Sequence, residues 1–459
     1  MKSSLARIQP WISRATASAD AAFDGVSTDS RSLASGNLFV ALRGERFDAH
    51  DYLNEVAARG AAAVLAERVP DGFALPALLV PDTRAALGQL GAGWRRQFAL
   101  PVIGVTGSNG KTTVKEMIAS ILAAAHGVDK VLATRGNLNN DIGVPLTVLR
   151  LDADCKAAVI ELGMNHPGEI AQLTAIAQPT VALVNNAQRE HQEFMASVEA
   201  VARENGSVLS GLPPDGVAVF PADDAFTFLW RGLAGQRKVV TFGLVDTADV
   251  SARFTANAFG SDLTLRAQGR EVPVRLAAAG VHNVRNALAA TACALAAGIA
   301  LEAVVRGLEA FAPVSGRLQR KQAASGALVI DDTYNANPDS VRAAIDVLAQ
   351  FPAPRLLVLG DMGEVGDEGP RFHQEIGAYA ATRGIGHLLA HGELMRHAVA
   401  AYGGGARHYD DIDSLKRDAE VLCTAGTTVL VKGSRFMRME RVVNHLLDPQ
   451  AAANKPETH

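Results

Sequence analysis

Cysteine is scarce in this chain. Cys155, Cys293 and Cys423 are the three thiols, widely separated and without a C-x-x-C pair, which excludes a disulfide framework and offers no zinc or dithiol redox motif. They read as small buried hydrophobes in a reducing compartment. No segment approaches the ~20 uninterrupted apolar residues of a membrane span. The opening MKSSLARIQPWISR lacks the apolar stretch and small-residue cleavage site of a secretory signal, so a cytoplasmic location without membrane insertion is expected. Basic charge is not in surplus either: 44 Lys and Arg stand against 48 Asp and Glu, a formal net charge of -4, which speaks against a nucleic-acid partner. Internal repeats and low-complexity tracts are lacking as well.

What the chain has is ample core material, with 48% hydrophobic and 20% charged residues, the balance of an ordinary globular protein. At 459 residues it is too long for one core, and ~100–200 residues per domain suggests about three. The expected fold class is α/β in three domains. Residues 1–99 read as a small module, with strands at 37–42 and 62–66 and a helix at 83–98. Residues 100–312 alternate short apolar runs (157–162, 180–185, 217–221, 238–242) with amphipathic stretches, the mark of a parallel, helix-covered sheet. Between 250 and 278 polar and apolar residues alternate, which predicts antiparallel hairpins added to the sheet edge. Helices are expected at 283–297 and 301–311, and the turn residues of 312–316 set a boundary. Residues 313–459 resume βα alternation, with strands at 327–331, 355–359, 387–391 and 428–431, as in a doubly wound, Rossmann-like unit whose ligands sit at the carboxyl ends of the strands. The tail after Asp448 is expected to be disordered.

The segment Gly104-Val-Thr-Gly-Ser-Asn-Gly-Lys-Thr-Thr113 follows the apolar residues 101–103 and opens a helical pattern. A Gly-rich turn from strand to helix aims backbone N–H groups and the positive end of the helix dipole at a polyphosphate. Gly107, Ser108, Asn109 and Gly110 form the turn, Lys111 adds a charge for the β/γ-phosphates, and the hydroxyl of Thr112 or Thr113 can sit on a bound Mg²⁺. The spacing departs from G-x-x-x-x-G-K-[ST], because Val105 stands five residues before Gly110 and the extra glycine falls at Gly107.

The spelling TGSNGKTT resembles the signature of the Mur ligase family, ATP-dependent enzymes that build the peptide stem of bacterial peptidoglycan. Further motifs agree in order along nearly the whole chain. The resemblance makes the N-terminal domain a UDP-binding module, the central one a P-loop ATPase domain and the third a Rossmann-like ligase domain. In Ser27-Thr-Asp-Ser-Arg31, followed by LFVALRGERFDAH ending at His50, it implies that Ser27, Asp29 and Ser30 meet uracil and ribose and that Arg31 meets the diphosphate. Asn137, Asn139 and Asn140, in an amide-rich segment, would face the muramoyl peptide; such amides equally form caps and turns. Glu161 ends an apolar run beside the phosphate loop, where a Mg²⁺ ligand is needed, and His191 falls at the family's metal-binding histidine. Asn283 would approach the adenine, or cap its helix.

Arg317 would reach the γ-phosphate across the interdomain cleft, a task suited to a permanently charged fork of donors. Asp332, Tyr334 and Asn337 lie in DDTYNANPDS and would serve the nucleotide or the incoming amine, with Asn337-Pro also reading as a helix start. That spelling is similar to family members that add D-alanyl-D-alanine. Asp361, Glu364, Lys432 and Ser434 match the family at later strand ends. One departure stands out: Asn205 occupies the place of a lysine that the family carbamylates for a second metal, and Ser207 replaces the acid two residues on.

The resemblance thus implies activation of a carboxylate by ATP with Mg²⁺, with Lys111, Glu161, His191 and Arg317 as the catalytic group. UDP-N-acetylmuramoyl-tripeptide and D-alanyl-D-alanine would be the substrates and a monomer the working form. A diamino-acid-adding member, a folylpolyglutamate synthetase and a non-catalytic nucleotide-binding regulator are the alternatives. The STDSR module speaks against the second of these.

Overall fold

In the computed structural model, which describes residues 1–190, 193–257 and 260–448, three main sheets follow one another along the chain. The first has five strands in the order Thr16–Ala17, Ala77–Leu79, Ala63–Ala66, Leu38–Val40, Val26–Ser27. All pairings are parallel except that of the Thr16–Ala17 edge. Helix Thr83–Arg95 leaves this sheet with Asp82 accepting hydrogen bonds from the N–H groups of Arg84 and Ala85, a side-chain cap of the usual kind. Its Gly91 lets Pro145 come within 3.0 Å of where a Cβ would stand, so the helix lies flush against the central domain.

The central sheet has nine strands. Val102–Thr106 lies third from the Val131–Ala133 edge, flanked in parallel by Ala157–Glu161 and Val181–Val184. Every residue of these three strands is buried, which is why they appear in sequence as unbroken apolar runs rather than alternating ones. Val217–Pro221 and Lys238–Phe242 continue the parallel order. Val250–Asn257 joins Lys238–Phe242 in parallel through Phe242 and Val250, and Gly260–Ala267 and Arg270–Leu276 then extend the sheet by antiparallel pairing, in accord with the polar/apolar alternation. Because the central strands are parallel, Thr106, Glu161 and Val184 all end at one edge, and the loops beyond them converge there.

The third sheet has six strands, ordered Gln319–Gln322, Leu328–Asp332, Thr428–Lys432, Arg355–Gly360, His387–His391, Ala406–Tyr409. Its first strand is antiparallel to the next and the rest are parallel. This corrects the expectation that the domain begins with the strand near 327: the polar QRKQ run forms an edge strand that carries no apolar signature.

One buried cluster runs continuously from Leu5, Leu38 and Trp94 to Val144, Ile176 and Trp230, so the first two domains share a core. Two further clusters lie within the third domain. Cys293 and Cys423 are buried and Cys155 is half-buried, all three as free thiols; burial raises the pKa of each. Among the described residues no helix is long and apolar enough to cross a membrane. The tail beyond Asp448 lies outside the described residues.

Candidate functional site

Between strand Val102–Thr106 and helix Lys111–His126 the chain makes a tight turn through Gly107 (φ +131°) and Gly110 (φ +83°). A Cβ at Gly110 would meet Asn286 Oδ1 at 2.5 Å, and one at Gly107 would stand 3.0 Å from the backbone nitrogens of Asn185 and Asn186. Both conformation and space therefore demand glycine. The turn is braced by the loop at the end of strand Val181–Val184: Ser108 N–H donates to Asn186 O (3.1 Å) and Asn109 N–H to Asn186 Oδ1 (2.8 Å). Gln188 N–H donates to Ser108 Oγ (2.8 Å). Lys111 Nζ donates to the carbonyls of Gly107 and Ser108 and lies 3.3 Å from Glu190 Oε2.

A cleft of about 820 Å³ opens over this turn, with walls from the central and third domains. Ser108 to Thr113, Asn137, Asn139, Asn140 and Glu161 line it from the central domain; Asn283 joins them, and Arg317, Asp332, Tyr334 and Asn337 face them. Gly107, buried within the turn, is not on its surface. Glu161 Oε1 accepts from Asn139 Nδ2 (2.9 Å) and Thr112 Oγ1 (3.2 Å). Its other oxygen, Oε2, is buried without a hydrogen-bond partner among the described residues. Arg317 crosses from the third domain, donating from Nη2 to Thr112 Oγ1 (2.8 Å), with its guanidinium 4.2 Å from the centre of the Tyr334 ring. Asn337 caps helix Pro338–Ala349 in a capping box with Ser340 and donates to Asn109 Oδ1 (2.9 Å). His191 lies outside the described residues.

Several side chains are placed differently from the sequence reading. Asn283 is not the N-cap of its helix: Gly280 (φ +92°) holds that position, and Asn283 Nδ2 donates to Ala279 O (2.8 Å) from within the first turn. Ser27, Asp29, Ser30 and Arg31 do not line the cleft. Arg31 forks onto Asp29 (2.9 and 2.8 Å), which lowers the Asp29 carboxyl to about 2, while Ser27 Oγ donates to Asp29 O. Asp361 caps the turn into helix Met395–Tyr402 by accepting from Met395 N–H (2.9 Å), and Ser434 Oγ donates to Ala336 O. Neither lines the cleft, whereas Glu364 and Lys432 do. Asn205 is fully buried beneath the loop, its Oδ1 accepting from Thr106 Oγ1 and from Gly107 N–H (3.0 Å).

The cleft wall also holds residues the sequence did not single out. Arg285 forks onto Asp223 (2.8 and 2.7 Å); burial opposes ionisation of that carboxyl, but the fork wins and lowers its pKa. Burial raises neighbouring Asp224. Burial, aided by the charge of Lys432, depresses His282 to about 4, so its ring is neutral at pH 7. Desolvation raises Asp332 against the pull of Lys432, whose Nζ is 2.7 Å away.

Family models match the three parts of the chain in turn: the Mur ligase family catalytic domain at residues 22–95, the Mur ligase middle domain at 105–294 and the Mur ligase glutamate ligase domain at 316–435. A UDP-N-acetylmuramoyl-tripeptide--D-alanyl-D-alanine ligase from Escherichia coli (strain K12) is 43% identical over 93% of this chain and 94% of its own. The chain belongs to the Mur ligase family. Among solved structures, a MurF from Acinetobacter baumannii is similar at TM-score 0.91 and 37% identity, covering 98% of this chain and 99% of that one. The Thermotoga maritima MurF ligase in complex with ADP is similar at TM-score 0.82 and 27% identity, covering 92% and 96%. Within this Mur ligase, what sequence reasoning missed is chiefly Asn185 to Glu190. The amide-rich run there was a usable signal, and its residues turn out to hold the phosphate loop.

Proposed function

We propose that this Mur ligase joins D-alanyl-D-alanine to the terminal carboxylate of UDP-N-acetylmuramoyl-tripeptide, with ATP as phosphoryl donor and ADP and phosphate as products. The observation that carries the reading is Arg317 of the third domain meeting Thr112 of the phosphate loop at 2.8 Å, inside a cleft of about 820 Å³. The names of the relatives in two bacterial species supply the substrate class.

A carboxylate is a poor electrophile and needs activation before an amine can attack it. Loop N–H groups and Lys111 would cradle the β/γ-phosphates and Arg317 would face the γ-phosphate from across the cleft. Charge developing during in-line attack by the peptide carboxylate is then met from two sides. The amine of D-alanyl-D-alanine displaces phosphate from the resulting acyl phosphate. Asn139 and its neighbours would position the peptide end, and Asn283 with Asp332, Tyr334 and Asn337 would line the nucleotide or amine side. Ser27, Asp29, Ser30 and Arg31 would receive the UDP end; Arg31 must then exchange Asp29 for diphosphate.

The donor set at Thr112 and Glu161 fits a magnesium ion, because hydroxyl and carboxylate oxygens are what this hard cation takes. The buried, unpartnered Glu161 Oε2 is an oxygen whose charge a cation would satisfy. When bound there, the metal supplies positive charge against the phosphates; His191 would be its third ligand. Asn205 cannot form a carbamate, and its oxygen is engaged by the loop. The reading carries domain boundaries at 99/100 and 312/313, a cytoplasmic location and a monomeric chain.

The test is incubation with ATP, Mg²⁺, UDP-N-acetylmuramoyl-tripeptide and D-alanyl-D-alanine, with product mass as readout. Phosphate release should require both the carboxylate and the amine substrate. Equal ATP hydrolysis in the absence of both would overturn the proposal.

A further inference from the structure

Residues 186–190 face two ways. Asn186, Gln188 and Glu190 turn to the phosphate loop, meeting Asn109 N–H (2.8 Å), Asn109 Nδ2 (2.6 Å) and Lys111 Nζ (3.3 Å). Arg189, between them, turns to the third domain. Its Nε and Nη2 donate to Asp339 (3.1 and 2.6 Å), its Nη1 and Nη2 donate to Glu375 (2.8 and 3.2 Å), and its own backbone N–H donates to Asp339 Oδ2 (2.9 Å). The guanidinium also lies over the Phe372 ring at 5.4 Å. Arg342 Nη1 donates to Glu375 Oε1 as well (2.8 Å). A planar fork engaged on both edges by carboxylates has geometry as well as charge fixed.

The two acids sit on the elements that matter for docking. Asp339 is in the first turn of helix Pro338–Ala349, two residues after Asn337, which reaches Asn109 of the loop. Glu375 is on helix Gly369–Thr382. A five-residue segment thus grips the phosphate loop with alternate side chains and grips the third domain with the one between. We infer that Arg189 is a positioning residue that sets the docked orientation in which Arg317 and Asn337 reach the loop. This deepens the proposed ligase reading and rests on it for its kinetic consequence. Nε, Nη1 and Nη2 all donate to protein carboxylates, so Arg189 acts through orientation and not by holding phosphate itself.

The experiment uses the full chain and the variants Arg189→Ala, Arg189→Lys and Glu375→Gln. Removing a charge-assisted pair shifts a docking equilibrium by about tenfold or more. Arg189→Ala should therefore lose at least about tenfold in kcat at saturating substrates, while ADP affinity by calorimetric titration stays within about threefold, because the loop contacts of residues 186, 188 and 190 remain. Arg189→Lys should recover part of the loss, and Glu375→Gln should show a smaller one. Small-angle scattering with ADP and Mg²⁺ should show Arg189→Ala more extended than the parent. Should Arg189→Ala not fold, Glu375→Gln is read by the same two measurements. Parent-like kcat together with parent-like scattering in the variants would overturn the inference. A parent chain that makes no ligated product would overturn the function instead, and the scattering comparison would still decide whether Arg189 sets the docking.

Discussion

A fully buried side-chain amide needs an acceptor for its N–H₂ and donors for its oxygen. Asn205 has the second but not the first among the described residues: Oδ1 takes Thr106 Oγ1 and Gly107 N–H, while Nδ2 has no partner. Asn205→Ala would leave two buried donors at the start of the phosphate loop unsatisfied. An unfolding free energy lower by ~1–3 kcal/mol is expected from denaturant titration, together with weaker nucleotide binding. Lys111→Ala should abolish turnover, because it removes the ammonium held over the turn by the Gly107 and Ser108 carbonyls and Glu190; retained ligation would remove the loop from the chemistry. His282 makes a different prediction. Its folded pKa is near 4 against an ordinary 6.5, so the unfolded chain binds more protons between those values and stability must fall as pH drops through that window. Replacement by glutamine should flatten that part of the stability-against-pH curve, measured by denaturant melts from pH 4 to 7. An unchanged slope would refute the assignment.

Helices report packing more sharply than they report propensity. Helix Leu301–Ala310 lies so close to helix Lys111–His126 that a Cβ on Gly307 would stand 2.3 Å from Ile121 Cα, and Ser120 Oγ donates to Gly307 O (2.7 Å). Gly307→Ala, favourable by intrinsic propensity, should instead destabilise the chain by about 1–3 kcal/mol, visible as a lower melting temperature. The helix that carries Lys111 would be displaced with it. Elements of this kind are legible in sequence as to type: Val217–Pro221, Lys238–Phe242 and His387–His391 coincide with their apolar runs, and the hairpins from Val250 onward follow from alternation. Gln319–Gln322 was not legible, because an edge strand made of polar residues leaves no periodic trace. The glycine turn and Glu161 could be singled out from their place at strand ends and Arg317 through the family resemblance, and all three border one cleft. The roles of Asn205 and Arg189 depend on which helix or domain lies opposite, and local sequence holds no record of that.

At the scale of the whole molecule, the shared core of the first two domains contrasts with the separate clusters of the third. Residues 311–318, which have no helix or strand, connect helix Leu301–Ala310 to strand Gln319–Gln322 of the third sheet. Limited proteolysis should cut first there, and ADP with Mg²⁺ should slow the cut by drawing the third domain onto the phosphate loop. Cleavage rates indifferent to nucleotide would speak against a mobile third domain. The state of the three native thiols bears on how such motion is watched. Cys293 and Cys423 are buried, Cys155 is half-buried, and all three hold their protons more tightly than a free thiol, whereas it is the thiolate that attacks maleimides. A fluorophore pair attached through two added surface cysteines, one on each side of the cleft, should therefore label in preference to the native residues, and energy transfer between them would time the opening and shutting of the enzyme in a single turnover.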